Sequence, residues 1–437
     1  MSNCTEETIE FPGFSRRKIQ ADFSGGAITS DAGVVLLRSI DQRLGLTERA
    51  SAVINDPRDP QRTRHDMLSL LRQRIYGLAL GYEDLNDHDT LRDDVALQTS
   101  VERTDVLAGS STLCRFENRT DRATAWRLHE AIVDQFIASY KRAPRRLILD
   151  FDATDDRVHG NQQGKFFHGY YRHYCFLPLY IFCGDQLLVS YLRPSKIDAA
   201  KHSWAILALL VKRLRQRWPK VKLIFRGDSG FCRWKMLSWC ERHGVGYIVG
   251  IAKNTRLQAL LAPTMKRAEG QQRKSGRKVR HFTEFQYAAG SWNRRRRVIG
   301  KAEVMAQGSN PRFIVTNLKG SPRRLYERLY CARADMENRI KEQQLDLFAD
   351  RTSCHKWWPN QFRLILSSLA YILIESLRRL MLKGTELATA YVGTIRLKLF
   401  KIGAVILRNT RRIRLLMASG YPNQAVFRRV CTRLDSG

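Results

Sequence analysis

Two short apolar segments of the chain end in aspartates that could bind a metal ion. In RRLILDFDATDD, the alternation of a strand puts Leu149 on one face and both Asp150 and Asp152 on the other. In KLIFRGDSGF, Asp228 ends a second apolar segment just before a Ser-Gly turn. A carboxylate on a buried strand is costly unless a cation compensates it, whereas a solvated edge strand would explain the first pair and an ordinary turn the second. The segments predict candidate metal ligands, with those alternatives open.

A third carboxylate is predicted on a helix. In YCARADMENRIKEQQ, Arg333, Glu337 and Lys341 recur every four residues and therefore share one helix face. A surface ladder of ion pairs has the same spacing. Met336 and Ile340, however, put Glu337 at the border of an apolar face, from which its carboxylate could point into a site.

Three carboxylates in such elements suit phosphoryl transfer. Carboxylate oxygens are preferred ligands of Mg²⁺ and Mn²⁺. Two such ions about 4 Å apart activate an attacking water or 3′-hydroxyl and stabilise the leaving oxygen of an in-line displacement. Asp150 or Asp152 on the first strand, Asp228 on the second and Glu337 on the helix therefore predict a two-ion site that acts on a nucleic-acid backbone.

The segments around these residues predict a mixed α/β sheet. Short β-type runs occur at 147–151, 174–182, 186–192 and 221–225. A helical stretch at 200–218 lies between them, and helical periodicity largely disappears over 247–318, where alternating runs predict a β-rich region. Helices are predicted again at 326–347 and 361–383.

These changes of pattern predict five segments. They are a helical N-terminal region (1–145), the first part of a catalytic core (146–252), a β-rich insertion (253–320), the second part of the core with the Glu337 helix (321–390) and a basic, helical C-terminal segment (391–437). In the first segment, a Gly-Ser-Ser turn before TLCRFENR predicts a short recognition-type helix with Arg115 and Arg119 on one side. A plain packing turn between helices would have the same pattern.

The charge of the chain indicates a polyanionic partner and makes an enzyme for acidic small substrates a poor fit. The net charge is +33 and the pI is about 10.3. Residues 1–145 hold 20 Lys and Arg against 22 Asp and Glu, so the remaining residues hold 55 against 20. Within 263–305 there are 12 basic and 3 acidic residues, including the run Arg294, Arg295, Arg296 and Arg297, and within 391–437 there are 10 and 1. This repetition favours a broad nucleic-acid surface over isolated solvated runs.

Several other classes of protein are disfavoured. The apolar run at 364–374 is too short to span a bilayer, which takes about 20 residues, and the acidic N-terminus lacks the pattern of a signal peptide, so we expect a cytoplasmic protein without membrane contact. Nine cysteines without a CxxC pair indicate reduced thiols. No Gly-rich phosphate loop is present, which predicts that no nucleotide cofactor is used.

Long collinear motifs of the chain resemble those of a known family. They are SDAGVVLLRSIDQRLGL, QRIYGLALGYEDLNDHDTLRDD, STLCRFENR, LDFDATDDRVHGNQ, RGDSGF, NPRFIVTNL, MENRIKEQQLDLFADRTSC and NQFRLILSSLAY. Over almost its whole length the sequence resembles the DDE transposases of bacterial insertion sequences, most closely the group 1 branch typified by insertion sequence 1380.

The resemblance implies a ribonuclease H-like core interrupted by a β-rich insertion. Its catalytic and metal-binding triad would be Asp152 in the Asp-x-Thr motif, Asp228 at the second strand end and Glu337 on the helix, with two Mg²⁺ or Mn²⁺ ions. Asp150 or Asp155 stays open as the first ligand, although the motif and the strand face favour Asp152.

The family signature Tyr-x2-Arg-x3-Glu-x6-Lys matches in part. Tyr330, Arg333 and Glu337 are in register, and Gln344 stands at the Lys position. Lys341, one helical turn after Glu337, is the candidate replacement. By the resemblance, these basic and phenolic side chains would contact DNA phosphates near the metals.

The implied function is cut-and-paste transposition. The protein would bind the terminal inverted repeats of an insertion sequence, cleave the element ends and join them to target DNA, as a homodimer on paired ends associated with the bacterial nucleoid. Trp292, beside the arginine run, would stack on a flipped base, unless it only packs the insertion's own core. The alternatives are a catalytically inactive DNA-binding relative and a metal-dependent nuclease without strand transfer.

Overall fold

Alternating and β-branched side chains set the strands of the computed structural model, which describes residues 8–436. The strands are β1 (Ile9–Phe14), β2 (Arg17–Ala21), β3 (Ile28–Thr29), β4 (Arg146–Ala153), β5 (Asp156–Arg157), β6 (Phe166–His168), β7 (His173–Phe176), β8 (Leu179–Cys183), β9 (Gln186–Tyr191), β10 (Lys222–Gly227), β11 (Gly246–Ile251), β12 (Val279–Tyr287), β13 (Arg296–Met305), β14 (Gly308–Ser309), β15 (Arg312–Thr316), β16 (Ala404–Arg408) and β17 (Ile413–Met417). The four predicted runs of the catalytic core all contain strands, with the second divided into β7 and β8.

Several helices begin at capping aspartates that accept a hydrogen bond from a backbone N–H of the first turn, such as Asp66, Asp94 and Asp121. The helices are α1 (Val34–Leu44), α2 (Leu46–Ala52), α3 (Met67–Leu80), α4 (Asp87–Leu91), α5 (Val95–Val101), α6 (Ser110–Asn118), α7 (Arg122–Ala138), α8 (Ser203–Arg217), α9 (Trp234–Arg242), α10 (Thr255–Ser275), α11 (Pro322–Arg324), α12 (Ala334–Lys341), α13 (Trp357–Met381), α14 (Val392–Ile395) and α15 (Gln424–Asp435). The helical character expected of the N-terminal region is thus confirmed.

A large mixed sheet carries the candidate site. Its strands lie in the order β12-β13-β15-β11-β10-β4-β8-β9, and β14 pairs with β13. The central strands β4, β10 and β11 are parallel, whereas β8 and β9 on one side and β15, β13 and β12 on the other are antiparallel. Because β4 and β10 are parallel neighbours, their carboxyl ends meet at one edge of the sheet.

The two faces of this sheet are covered differently. Leu147, Leu149 and Phe151 belong to the larger core cluster, which includes residues of α7, α8, α9 and α10. Ile148 packs with the smaller cluster, which includes Tyr326 on the opposite face. The alternation predicted for β4 is therefore confirmed, and Asp150 and Asp152 follow Ile148 on the second face.

The region 247–318 contains a helix that the sequence analysis did not predict. Its strands β11, β12, β13 and β15 extend the central sheet, but α10 is 21 residues long. The buried positions of α10 are Leu257, Leu261, Thr264 and Ala268. Because the buried stripe is narrow and the helix contains a proline, the sequence gives only a weak helical pattern here. The prediction that 247–318 lacks helices was therefore wrong for α10.

The C-terminal segment is also less helical than expected. The antiparallel hairpin of β16 and β17 occupies 404–417, and β16 pairs with β3 near the N-terminus. Only Ala404 and Ile406 of β16 are buried, which is the alternation of a half-covered strand. The helical expectation holds for α14 and α15 and is wrong for the hairpin.

The chain divides into two compact units. One contains the chain up to Thr120, Asp346–Phe348 and the chain from Leu369 onward, and the other contains Asp121–Leu345 and Ala349–Ser368. The central sheet and its aspartates belong to the second unit. Within 8–436, no helix combines the length and apolarity that crossing a membrane requires.

Candidate active site

Asp150 forms a buried ion pair. It lies opposite Arg226 in the parallel ladder of β4 and β10, and both residues are buried. The Arg226 guanidinium donates to both carboxylate oxygens of Asp150, with 2.6 Å between Nη2 and Oδ2. Burial raises the pKa of Asp150, and the bonds from Arg226 oppose that rise. Asp150 is therefore a structural carboxylate on the strand that carries Asp152.

Arg226 also fixes the chain that leads to Glu337. Its guanidinium donates to the carbonyl oxygens of Leu329 and Ala332. These carbonyls lie in irregular turns, a π-helical turn at Leu325–Tyr330 and a 3-10 turn at Cys331–Arg333, which precede α12. Arg226 thereby links both strand ends to the helix, because one guanidinium bonds the aspartate of β4 and the backbone before α12.

Asp152 and Glu337 are bridged by Arg333. Arg333 Nη1 lies 2.8 Å from Asp152 Oδ2, and Arg333 Nη2 lies 2.9 Å from Glu337 Oε1. The side chain of Asp152 is 14% exposed and that of Glu337 is 50% exposed, so the bridge runs from the protein interior to solvent. The sheet edge and the helix predicted for these carboxylates are thus held together by one arginine.

Asp228 completes the edge at the end of β10. Its Oδ1 accepts a hydrogen bond from the Gly230 N–H at 2.8 Å, which caps a short 3-10 turn. A Cβ at Gly250 of the adjacent β11 would lie 2.6 Å from the Tyr330 hydroxyl and 3.2 Å from the Asp228 carbonyl carbon. Tyr330 and Asp228 therefore approach each other over a glycine that leaves room for both.

The electrostatics indicate a cluster of like charges around one cation. Burial raises the pKa of Asp152 to about 6, and Asp228 and Glu337 also raise it while Arg333 opposes the rise. Although burial lowers it, the pKa of Arg333 is raised by the acidic groups around it. Burial also raises the pKa of Tyr330, with Arg333 opposing and Asp228 adding to the rise. A cation stabilises the ionised carboxylates here, and Arg333 is the cation present.

Carboxylate oxygens are suitable ligands for a divalent ion, and in this structure the counterion of these carboxylates is Arg333. Across residues 8–436, no three His, Cys, Asp or Glu side chains are arranged to hold a metal ion. Arg333 pairs with both Asp152 and Glu337 in this structure. Carboxylates whose ionised form needs a neighbouring positive charge are suitable ligands for Mg²⁺ or Mn²⁺ once the guanidinium moves.

Gln344, which follows α12, bonds the segment that follows β4. Its Nε2 lies 3.0 Å from the Asp155 carbonyl oxygen and 3.0 Å from Asp156 Oδ1. Lys341, the expected substitute for the signature lysine, is exposed. Asp155 bonds His173 Nε2 at 2.7 Å. Gln344 therefore has a positioning role in this chain, and Asp155 is paired with His173.

Trp292 is partly buried and contacts residues of the insertion. It is partly buried against the larger core cluster, and its ring centroid lies 5.6 Å from that of Tyr287. The Arg296 guanidinium lies over the Trp292 ring, 5.3 Å from its centroid. These contacts are those expected if Trp292 packs the insertion's own core, which is the alternative to base stacking.

The arginine run is mostly ion-paired. Arg296 is buried and bonds Glu241, which also pairs with Arg294 at 2.7 Å. Arg297 bonds Glu284 and two backbone carbonyls. Arg295 is exposed. Much of this charge is thus neutralised within the protein.

Arg115 and Arg119 are exposed at one end of α6. Arg115 Nη2 lies 3.1 Å from Thr112 Oγ1, and Arg119 lies 3.9 Å from Asp56 in a long ion pair. Both side chains could therefore exchange these weak local contacts for phosphates.

Sequence reasoning missed three residues of the site. Arg226 shares a face with Asp228 in the strand pattern, which was a usable signal for a charge partner. Gly250 gave no such signal, and Gln344 was marked only by its place in the family signature, because their contacts are with groups about 80 and 190 residues away in the sequence.

The comparisons with known proteins agree with the motifs. A family model described as transposase DDE domain group 1 matches residues 11–436. No curated protein matches the chain. Among solved structures, a cryo-EM structure of the piggyBac transposase synaptic complex with hairpin DNA is similar at 10% identity, covering 85% of this chain and 80% of that chain with a TM-score of 0.41, which is too low to establish a common fold. From the family match over nearly its full length, the chain belongs to the DDE transposases of domain group 1.

Proposed function

We propose that this protein cleaves the ends of an insertion sequence and joins them to target DNA, with Asp152, Asp228 and Glu337 as the catalytic carboxylates. The observation that carries the proposal is the bridge from Asp152 through Arg333 to Glu337 beside the end of β10. Burial, and to a smaller extent Asp228 and Glu337, raise the pKa of Asp152 to about 6, and a raised carboxyl pKa in a group of carboxylates supports a site for an added cation.

The chain's own residues would orient the reacting phosphodiester. Asp152, Asp228 and Glu337 would hold two Mg²⁺ or Mn²⁺ ions, which when bound activate the attacking oxygen and stabilise the leaving one. Arg333 would turn from the carboxylates to a DNA phosphate, because a guanidinium binds phosphate and carboxylate oxygens in the same way. Tyr330 would limit how the phosphate lies against Asp228.

Both chemical steps are phosphodiester exchanges. In the first, water attacks the phosphorus at the element end, the P–O bond to the 3′-oxygen breaks, and a 3′-hydroxyl is released. In the second, that 3′-hydroxyl attacks a phosphodiester of target DNA and displaces a target 3′-oxygen. One site serves both steps, and no nucleotide is consumed.

The finer assignment of the fold is part of this proposal. The order β9-β8-β4-β10-β11, with β4, β10 and β11 parallel, supports a ribonuclease H-like core. Strands β12, β13 and β15 lie between Asp228 and Glu337 in sequence, which supports a β-containing insertion. Membership in the branch typified by insertion sequence 1380, and association with a bacterial nucleoid, remain predictions.

Phosphate contacts are proposed for exposed or displaceable cations. Arg115 and Arg119 on α6 would contact the terminal inverted repeats, and Lys341 would contact the DNA near the catalytic edge. A homodimer on paired ends remains a prediction.

The test uses purified protein and labelled DNA from both sides of the protein's own reading frame, with Mg²⁺ or Mn²⁺. Wild-type protein should nick the DNA and produce joined products with a target plasmid. Asp152→Asn, Asp228→Asn and Glu337→Gln should each abolish both products and leave DNA binding intact. Cleavage by the Glu337→Gln protein would contradict the assignment, cleavage without joining would support a nuclease, and binding without either would support an inactive relative.

A further inference from the structure

The connection between β4 and β8 forms a small aromatic projection. Residues 157–176, which we call the aromatic arm, contain six aromatic residues. Strands β5, β6 and β7 make up a separate three-stranded antiparallel sheet there, in the order β5-β7-β6. Three of its rings are exposed: Tyr170 at 83%, Phe167 at 57% and Tyr174 at 51%. Exposed rings grouped within eight residues, 167–174, mark a candidate interaction surface.

The charge of the aromatic arm selects the kind of partner. It contains Arg157, Lys165, Arg172 and three histidines, and it has no Asp or Glu. Arg157 and Arg172 are exposed, and Lys165 Nζ lies 5.3 Å from the centroid of the Tyr174 ring. Exposed rings interleaved with cations and free of carboxylates favour nucleic acid, since bases stack on the rings while cations contact phosphates.

The aromatic arm is anchored beside the catalytic edge. His173 Nε2 lies 2.7 Å from Asp155 Oδ2, three residues beyond Asp152. The backbone N–H of Val158 donates to the Tyr174 carbonyl at 2.9 Å, and Ser195 Oγ donates to the Phe166 carbonyl at 2.7 Å. The aromatic arm is therefore anchored to the segment that follows Asp152 at the end of β4.

We propose that the aromatic arm binds unpaired nucleotides of the DNA next to the catalytic edge, with Tyr170 and Phe167 stacking on the bases. The inference rests on the proposed function, because that function brings DNA to this edge. Unpaired rather than duplex DNA is the occupant, since stacking on a ring requires a base with a free face.

The test measures binding to fluorescein-labelled (dT)20 and to a blunt duplex of equal length by fluorescence anisotropy in EDTA. Tyr170→Ala and Phe167→Ala should each weaken (dT)20 binding by about 5- to 100-fold and duplex binding by less than about two-fold. Tyr170→Phe, which keeps the ring, should bind (dT)20 within about two-fold of wild type. Trp204→Ala is the matched control, because Trp204 is 51% exposed on α8 in the same unit.

A second measurement does not depend on variants. Photocrosslinking of wild-type protein to an oligonucleotide containing 5-iododeoxyuridine, followed by mass spectrometry, should identify peptides within 166–174. Unchanged (dT)20 binding in the alanine variants, equal losses for single-stranded and duplex DNA, or crosslinks only outside the aromatic arm would each overturn the proposal. A protein captured through these rings with no (dT)20 binding would also overturn it.

Failure here and failure of the catalytic proposal are distinguishable. Binding in EDTA needs no cleavage, so Asp152→Asn should bind (dT)20 as wild type does. If the cleavage test fails and (dT)20 binding still depends on Tyr170, only the catalytic assignment is contradicted. If cleavage succeeds and the alanine variants bind normally, only the role of the aromatic arm falls.

Discussion

The aromatic arm and the arginine run of the insertion look alike in sequence and differ in structure. Both place basic residues beside aromatic ones. In the arm, Arg157 and Arg172 are exposed and three rings are exposed, whereas Glu241 and Glu284 pair with the arginines of the run and Trp292 is partly buried. Those glutamates come from other elements, so charge density in a short segment does not reveal how much charge faces solvent.

The largest effect should come from Arg296, which is buried and bonds Glu241, Ser238 and Asn293. Arg296→Ala should lower the free energy of unfolding by about 3 kcal/mol, because it leaves the partly buried Glu241 without its main partner. Urea denaturation measures the loss. A loss below about 1 kcal/mol would mean that the pair is not held in the interior, and the contrast between the two regions would fail.

Asp156, at the base of the aromatic arm, should respond to pH in the opposite sense to Glu241. Burial raises the pKa of Asp156, the hydrogen bond from Gln344 opposes that rise, and Asp350 and Asp155 add to it. The folded protein therefore favours the protonated carboxyl. The stability that this protonation contributes is lost as pH rises. Asp156→Asn should therefore raise the free energy of unfolding at pH 7, with the gain vanishing below about pH 4.

The pKa of Glu241 is lowered by its arginine and tyrosine bonds, against the effect of burial. Its contribution is present at neutral pH and is lost as pH falls. Glu241→Gln should therefore destabilise the protein at pH 7 and lose that effect in acid. Thermal unfolding from pH 3.5 to pH 8 compares the two variants, and curves of the same sign would contradict this reading.

Gln344→Ala should have a smaller effect, centred on the aromatic arm. It removes two hydrogen bonds to Asp155 and Asp156, just before the arm, which should cost about 1–2 kcal/mol of stability. Hydrogen exchange should speed up first in 155–158. Gln344→Glu is the matched variant, because it keeps the size and loses the donor. Unchanged exchange in both would show that Gln344 does not hold the arm.

Arg295 should give the smallest change in stability. Because it is exposed, Arg295→Ala should alter the free energy of unfolding by less than about 0.5 kcal/mol. It should lower the slope of log affinity for duplex DNA against log salt by about one. An unchanged slope would mean that the whole run is structural.

Elements were predictable where the local pattern decides them. The strand alternation in β4 correctly separated Leu149 from Asp152, and the four-residue spacing correctly put Arg333 and Glu337 on one face. The helix α10 and the hairpin of β16 and β17 were missed because α10 buries only a narrow stripe and β16 is only half covered. Pairings such as Arg226 with Asp150 depend on strand order, which a single sequence does not specify.

The most direct test of the catalytic assignment replaces the candidate aspartate ligands by cysteine and varies the metal. Thiolate is a poor ligand for Mg²⁺ and a better one for Mn²⁺. Asp152→Cys and Asp228→Cys should cleave the labelled flanking DNA with Mn²⁺ and not with Mg²⁺, whereas Asp155→Cys should retain cleavage with Mg²⁺, because Asp155 is paired with His173. Full cleavage with Mg²⁺ by the Asp152→Cys protein would contradict its role as a metal ligand, and loss that Mn²⁺ restores only in Asp155→Cys would move the first ligand to Asp155.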